Sequence, residues 1–566
     1  QDAEDGKSAR LPSDSPVTPL GRSGDVFFYL DEIGQLAELK AEKHGRLSIQ
    51  GLFGRKISWL HATWQRFDKD GNPIGWRPEL AAEALMQAAS AEGVWNPEEK
   101  VRGTGAWLGE DGGLIFHCGD IVWFGPKPGS REDGRLERPG RIAGRIYPAS
   151  PSCARPSAGP VDGSPAQDLL NLLGNWNWRR GDLDARLLLG WIGAAIVGGA
   201  LDWRPALWIS GDRATGKSTL HKVIHGVLGS VISITNSSEA GIRQRLGMSS
   251  LPVAVDELEA EADNRRSTDV VKLARLASSG AMVLRGGSDH KGVEFTARSC
   301  FLFSSILTPP LPPQDRSRLA FLELDTLSGT SPPLLDPKQL ARIGADLRRL
   351  IADRWPLFAT RLEAFRMALA QHGGHAGRGA DQFGTLLACA DILLHENEPT
   401  TDELLEMATA LGAAQLAEVG ETEADHTKCI AHLLSAQLDV YHKNHRHTVA
   451  RWVSWAFGGD TEAPSILPSF GLAVIERDGL RWLAVSNSHQ GVAKIFEGTH
   501  WAGKANTTGV WVQALDRVPG AMPFQHRFEG QKARCRILPL EGEYAVFDPT
   551  ACNPYPTLNL TRPSDD

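Results

Sequence analysis

Apolar and polar positions along this chain change period several times, and each change marks a candidate segment. Residues 1–24 are polar, with Pro, Ser and Asp, and are expected to form a disordered tail. From 25 to 145, short alternating runs rich in Trp and Gly predict a mixed α+β domain. Within it, Ile57–Phe67 alternates as a strand does, and Asp68-Lys69-Asp70-Gly71-Asn72 reads as the turn after it. Pro78–Ala91 carries a helical stripe, and Gly105–Leu108, Gly113–His117 and Asp120–Phe124 read as a small β-meander. Residues 146–165, rich in Pro, Ser, Ala and Gly, are the best linker candidate.

Helical spacing returns at Gln167–Leu173 and Asp184–Gly199, and short apolar strands then alternate with helices up to Leu327. That alternation predicts an α/β core with a parallel sheet over 166–327. After a Pro-containing break at Ser328–Pro333, helices are expected over Pro337–Gln371, Gln382–Leu394, Thr401–Leu411 and Asp425–Tyr441. Gly373–Gly379 between them reads as a flexible patch, and 328–447 as a helical domain. From 448 to 566 the pattern is helix, strand, strand, helix. Gly471–Arg477 and Leu480–Val485 flank the turn residues Asp478-Gly479, a strong hairpin signal. Arg477, Arg481, Arg527, Lys532, Arg534 and Arg536 make a winged-helix-like, DNA-guiding module one reading of this block, with a lid or subunit-contact domain as its competitor.

Composition narrows the class. The chain has 566 residues, 42% hydrophobic and 23% charged, with a net charge of −8, so it has room for two to four domains and no global basic field. Any nucleic-acid contact must come from a local patch. Seven scattered cysteines without a C-x-x-C pair suggest reduced thiols in a cytoplasmic compartment. The longest apolar run, Leu187–Leu201, is short for a bilayer span and reads as a buried helix, so no membrane is expected.

The chemistry concentrates in Leu207-Trp208-Ile209-Ser210-Gly211-Asp212-Arg213-Ala214-Thr215-Gly216-Lys217-Ser218-Thr219. This is an apolar strand, a loop of the form G-x-x-x-x-G-K-S, and a helix to Leu228. The glycines let consecutive N–H groups point into one concavity, Lys217 brings a charge for the outer phosphates, and Ser218 a hydroxyl for Mg²⁺. The helix presents its positive end to the same anion. ATP and Mg²⁺ are the expected cofactors. Downstream, Leu251–Val255 is an apolar strand ending in Asp256-Glu257. Asp256 can hold the cation, and Glu257 can orient and deprotonate a water. Glu259, Glu261 and Asp263 continue the charge as an acidic loop. Gly280–Arg298 reads as a hairpin with a glycine-rich tip carrying Arg285, His290 and Lys291. A strand, Ser299–Phe303, then ends in Ser304-Ser305, and Asp315-Arg316-Ser317-Arg318 leads into Leu319–Leu322.

That order resembles the superfamily 3 helicases of viruses, phages and plasmids, within the AAA+ class, and especially the primase-associated helicases of phages and mobile elements. The resemblance covers about 200–325. Val101-Arg102-Gly103-Thr104-Gly105-Ala106-Trp107 with His117-Cys118-Gly119-Asp120, and Gly498-Thr499-His500-Trp501, are similar to phage relatives too. It implies an ATP-hydrolysing DNA helicase, a hexameric ring on single-stranded or forked DNA, with a primase or polymerase as a further partner. Gly211, Gly216, Lys217, Ser218 and Thr219 match the ATP and magnesium positions, and Asp256 and Glu257 the acidic pair. Ser304 or Ser305 falls where the family has its sensor Asn, a departure that weakens that assignment. Arg316 or Arg318 matches the arginine finger that reaches a neighbouring subunit's ATP, with Arg318 preferred because it stands closer to the strand. His290 and Lys291 match the pair that lines the central channel, where Lys contacts phosphates without reading sequence. The competing readings are an ATP-switched origin-binding or assembly protein and a duplex DNA translocase.

Two weaker signals remain. Asp68, Asp70, Asn72 and Glu79 mimic a Ca²⁺ loop, but Pro73 stands where glycine is required, so a hairpin turn is preferred. His426, Cys429 and His432 fall on one helix face at zinc-like spacing, with core or surface residues the commoner outcome. The N-terminal block holds no constellation for primer synthesis. A primase, if the system has one, is expected upstream of Gln1 or on another chain, and the Trp-rich strands are expected to build a core.

Overall fold

The computed structural model describes residues 10–126, 134–235, 238–259, 265–286, 292–309, 311–327, 336–375, 377–412, 425–442, 445–503 and 507–550. They fall into two compact units, Gln1–Gly420 and Glu421–Asp566, taken separately below.

The first unit is built around a five-stranded parallel sheet. Its strands are β1 (Ala206–Gly211), β2 (Ile232–Ile234), β3 (Val253–Val255), β4 (Phe301–Ser305) and β5 (Leu319–Leu324), in the spatial order β2-β3-β4-β1-β5. Strict alternation along each strand feeds two cores. Leu207, Ile209, Leu302, Ala320 and Leu322 face the helices Asp182–Ile196, Lys217–Leu228 and Pro337–Arg354. Trp208, Phe301, Phe303 and Phe321 face Glu239–Leu246 and Arg265–Ser278. The expected parallel α/β core is therefore present. Leu187–Ile196 is buried on every side, which accounts for its lack of amphipathic pattern. No helix among the described residues is long and apolar enough to cross a membrane.

The hairpin expected over 280–298 forms between β3 and β4, as Met282–Gly286 paired antiparallel with Gly292–Thr296. Beyond β5, Pro337–Arg354 begins with Asp336 accepting from the Lys338 N–H at 3.0 Å, and Thr401–Ala410 with a reciprocal Thr400–Glu403 capping box. Gly373–Gly379 is not a flexible patch where it is described. His375 is buried and its Nε2 lies 2.6 Å from the carbonyl oxygen of Leu411, which ties the turn to the C-terminal end of the helix Thr401–Ala410.

Upstream of the sheet, Thr18–Ser23 corrects the expected tail, since it pairs with Val26–Leu30 as a strand. Residues 1–9 lie outside the described ones. Ile57–Phe67 is also corrected: Ile57–Thr63 is helical and only Gln65–Phe67 is strand. The buried pair Leu60 and Trp64 stands four residues apart, a helical spacing, and Trp59 stacks on Phe53 at 5.4 Å. The 68–72 segment is the hairpin turn, with Asp68 Oδ1 accepting from the Asp70 and Asn72 amides at 2.9 and 2.8 Å. Pro78–Ala91 is helical as expected, and the meander continues into a fourth strand, Arg135–Glu137. Trp64, Trp76, Trp107 and Trp123 are buried, so these rings do build core. Residues 148–163 are irregular and lie along the core, through Ala154 N–H to Ser230 Oγ at 3.1 Å and Arg349 Nη1 to the Ala158 carbonyl at 2.9 Å.

The second unit holds helices Asp425–Ser435 and Val449–Phe457 against a four-stranded antiparallel sheet. Its strand order is Leu472–Arg477, Leu480–Ser486, Gln531–Pro539, Met522–Phe528. The hairpin turn is as the sequence implies, with Asp478 and Gly479 at φ 55° and 76°. The helix expected over Asp425–Tyr441 ends at Ser435, and Gln437–His442 is a strand. Trp452, Phe496, Trp511 and Phe547 fill the core of the unit.

Candidate functional site

The loop after β1 turns through two left-handed residues, Ala214 (φ 65°) and Gly216 (φ 81°). At Gly216 a side chain has no room, because a Cβ would lie 2.9 Å from Trp176 Nε1. Trp176 Nε1 also donates to the Gly216 carbonyl at 3.2 Å, and Thr215 Oγ1 to the Asp212 carbonyl at 2.9 Å, so the loop is braced from both sides. The helix begins at Lys217, two residues before the sequence pattern implies, which puts Ser218 and Thr219 in its first turn. Asp212, Arg213, Ala214 and Ser218 are exposed along the rim. Lys217 Nζ bonds to the loop's own carbonyls, Gly211 O and Asp212 O, the latter at 3.1 Å. Burial pulls its pKa below the usual lysine range, and Glu259, Asp212 and Asp256 push back.

The strand order brings the acidic end of β3 to the same edge. Asp256 follows β3, and its Oδ1 accepts from Ser304 Oγ at the end of β4. Ser304 and Ser305 are thereby told apart. Ser305 is turned to the other face, where its Oγ accepts from Trp208 Nε1 at 2.8 Å. Glu257 is exposed and held at φ 58°, a strained setting for a residue with a side chain, with its N–H on Asp256 Oδ1 at 3.0 Å.

Two residues join the site that the sequence pattern did not single out. Glu259 turns back to accept from the amides of Ile306 and Leu307 at 2.5 and 3.4 Å, and its charge acts on Lys217. In the sequence it reads only as part of an acidic run. His221, one helical turn after Lys217, is buried with Nε2 3.8 Å from Asp256 Oδ1. Burial holds its pKa below the usual range. A polar residue between Leu220 and Ile224 on an apolar helix face was the available signal. Beside the loop a cavity of about 310 Å³ opens between Ser210–Asp212, Ile306–Thr308 and Asp325.

Arg316 and Arg318 lie elsewhere. They precede β5, whose Leu319 pairs with Ala206 and whose Leu324 pairs with Gly211, so they stand at the opposite edge of the sheet from the glycine loop. Arg318 is turned inward, with Nη1 donating to the Arg275 carbonyl at 2.7 Å and its guanidinium 5.7 Å from the Trp203 ring centre. Arg316 lies over Phe321 at 5.3 Å. Arg285 sits in the first hairpin strand opposite Val293, while His290 and Lys291 lie outside the described residues.

No group of His, Cys, Asp or Glu among the described residues is disposed to hold a metal ion by itself. Cys429 is buried core and His432 stacks on Phe496 at 5.5 Å. The donors at the glycine loop suit a different arrangement, in which one hydroxyl and one carboxylate share a cation with phosphate oxygens. Exposed Ser218 and half-exposed Asp256 fit it.

Solved structures similar to this chain include an active helicase. That structure, SCCmec type IV Cch, is 12% identical over 92% of this chain and 93% of its own, with a TM-score of 0.43. The apo C-terminal region of NrS-1 is 12% identical over 92% of this chain and 96% of its own, at 0.34. A shorter form of that region, 305–718, is 13% identical over 70% and 81%, at 0.29. No family model and no curated protein matches the chain.

Proposed function

We propose that this chain is an ATP-driven DNA helicase of the superfamily 3, AAA+ type, working as a ring, a hexamer by resemblance, on single-stranded DNA in replication of a phage or mobile element. The observation that carries this reading is one edge of one sheet. The glycine loop after β1 and the Asp256–Ser304 pair after β3 and β4 face a common cleft, with Lys217 and Asp256 close enough to feel each other's charge. The strand order β2-β3-β4-β1-β5 and a hairpin inserted between β3 and β4 support the same reading.

The loop amides from Gly211 to Thr219 and Lys217 hold the phosphates of ATP, and Ser218 and Asp256 hold Mg²⁺. The nucleotide supplies a phosphoanhydride bond whose hydrolysis is downhill, and the ion neutralises its outer phosphates. Glu257, exposed at the rim, orients and deprotonates the attacking water. Ser304 fixes the Asp256 carboxylate, and Glu259 holds the loop after β4 by its amides. An arginine before β5 is too far from its own loop, because six residues of strand intervene, about 20 Å of extended chain. Its natural target is the loop of a neighbouring copy, which makes hydrolysis depend on assembly. Hydrolysis then moves the 282–296 hairpin, with Arg285, His290 and Lys291, along the strand.

Unwinding of a forked duplex and DNA-stimulated ATP hydrolysis test the reading together. Lys217→Ala is expected to abolish both, and Glu257→Gln to keep ATP binding while stopping turnover. A monomer with full ATPase activity would contradict the shared site, and ATP hydrolysis without strand separation would favour the assembly switch.

A further inference from the structure

Arg102, Arg145 and Arg298 come from three separate segments and gather in one cluster, Arg102 and Arg298 beside Trp107 and Arg145 beside Arg102 at the Glu99 carbonyl. Arg102 follows the short helix Pro97–Lys100, Arg145 opens the strand Arg145–Tyr147, and Arg298 lies just past the second hairpin strand, Gly292–Thr296. The Arg102 and Arg298 guanidinium carbons lie 4.9 and 5.8 Å from the centre of the buried Trp107 ring. Arg102 and Arg145 each direct an Nη1 to the same Glu99 carbonyl oxygen, at 3.3 and 2.7 Å. All three are half-buried, and no carboxylate of the described residues makes an ion pair with any of them. The charge of Glu98 acts on Arg298 and offsets part of the effect of burial.

Like charges gathered this way repel, and the cost is visible on Arg102. Burial first, and then Arg145 and Arg298, pull its pKa down to about 10. The scaffold nonetheless holds the cluster firmly, since Trp107 Nε1 donates to the Gly103 carbonyl at 2.8 Å and Gly103 N–H to the Met248 carbonyl at 3.0 Å. A rigid cluster of cations with no ion-pair partner fits an external polyanion, and the planar guanidinium suits phosphate oxygens. Arg298 continues from the hairpin assigned above to the translocating strand. This is what makes the anion a nucleic-acid backbone, and the inference rests on that assignment.

We propose that Arg102, Arg145 and Arg298 form a phosphodiester clamp that holds a single nucleic-acid strand against the base of the hairpin, whatever its sequence. The clamp contacts phosphates, and Trp107 positions the arginines without stacking on bases.

The test is binding of a labelled oligothymidylate to the full chain, followed by fluorescence anisotropy across a series of KCl concentrations. For single strands the slope of log K against log salt changes by about 0.7 per phosphate contact. The triple variant Arg102→Gln, Arg145→Gln, Arg298→Gln is therefore expected to lose about 2 from the slope, and to bind about tenfold or more weakly at low salt. The triple Lys variant keeps the charge and is expected to keep the slope. If the Gln triple does not fold, Arg145→Gln alone is expected to lose about 0.7 from the slope. A folded Gln triple with the native slope overturns the clamp, as does equal loss in the Lys triple, which would mark a structural role. Absence of binding by the native chain is a different failure, since it removes the helicase reading itself.

Discussion

Ser304 and Ser305 stand side by side on one strand and are expected to respond differently to the same substitution. Ser304 Oγ donates to the Asp256 carboxylate, while Ser305 Oγ accepts from Trp208 Nε1 inside a fully buried core. A hydrogen bond to a charged group contributes about 1.5–3 kcal/mol. The Asp256 side chain is 40% exposed, so water replaces part of the lost bond and the lower figure applies. About 1.5 kcal/mol corresponds to roughly tenfold in kcat, and this is an upper bound, because the bond is present before the reaction as well as during it. Ser304→Ala is thus expected to slow DNA-stimulated ATP hydrolysis measurably, by at most about tenfold, and to lose no more than about 1.5 kcal/mol of stability. Ser305→Ala leaves a buried indole N–H without an acceptor. It is expected to cost about 1–3 kcal/mol of stability and to leave kcat near native. Steady-state ATPase rates set beside urea denaturation of the same preparations check both halves. A native rate in Ser304→Ala, or a slower enzyme in Ser305→Ala than in Ser304→Ala, would refute the assignment of Ser304 to the site.

Gly216→Ala forces a side chain into the left-handed region, at a cost of about 1–2 kcal/mol, and against Trp176; calorimetric titration is expected to find ATP binding lost, and native affinity would refute the bracing by Trp176. Arg361 and Asp391 form a buried pair at 3.0 Å between two helices, so Arg361→Ala is expected to destabilise the first unit by about 3–5 kcal/mol near neutral pH. Burial already raises the Asp391 pKa, with Arg361 opposing it, and a carboxylate whose folded pKa is raised loses stability as pH climbs from the unfolded value through the folded one. The deficit of Arg361→Ala is therefore expected to shrink towards acid pH, where Asp391 takes up a proton; a deficit that grows on acidification would refute it. For the two arginines before β5, Arg318→Ala is expected to lower the melting temperature, because its guanidinium serves the Arg275 carbonyl and the Trp203 ring. Arg316→Ala is expected to lower ATPase activity in the assembled state, and mixing it with Lys217→Ala subunits should restore part of that activity if the site is shared between copies. No recovery in the mixture would place the arginine's role within its own chain.

Much of this molecule is legible from local pattern because local forces decide it. Pro78–Ala91 is delimited by Pro at its start and a continuous helical stripe, and Asp478-Gly479 adopts the two positive φ values that its residue types favour. Ile57–Thr63 is helical although its alternation imitates a strand, because the burial of Leu60 and Trp64 and the stack of Trp59 on Phe53 follow a helix. The 425–441 pattern failed in the opposite way. Helical spacing holds to Ser435, but Gln437–His442 pairs antiparallel with the strand His445–Thr448 that follows it directly, and that pairing, not the residue spacing, decides the segment. The run Val101–Trp107, singled out in the sequence only for its similarity to phage relatives, is placed by long-range contacts. Gly103 lies so close to Met248 that a Cβ would stand 2.6 Å from its carbonyl, so this run seats the N-terminal meander on the segment leading into β3.

The residues of the candidate site can be picked out along the chain, but their spacing cannot. Sequence patterns identify the glycine loop and the acidic pair, yet neither says how far apart their strands lie. The answer is set by β4, which is inserted between β1 and β3. Strands neighbour one another at about 4.8 Å, so the ends of β1 and β3 are separated by about 10 Å. A direct Lys217–Asp256 ion pair across adjacent strands would close the cleft on itself. One intervening strand keeps the two charges apart at a distance that a terminal phosphate and its cation can bridge, and it puts the end of β4 between them. There Ser304 reaches the carboxylate of Asp256 on the neighbouring strand. The polar contact of β4 therefore goes to Asp256, and the Ser304 substitution tests the proposed site at that bond.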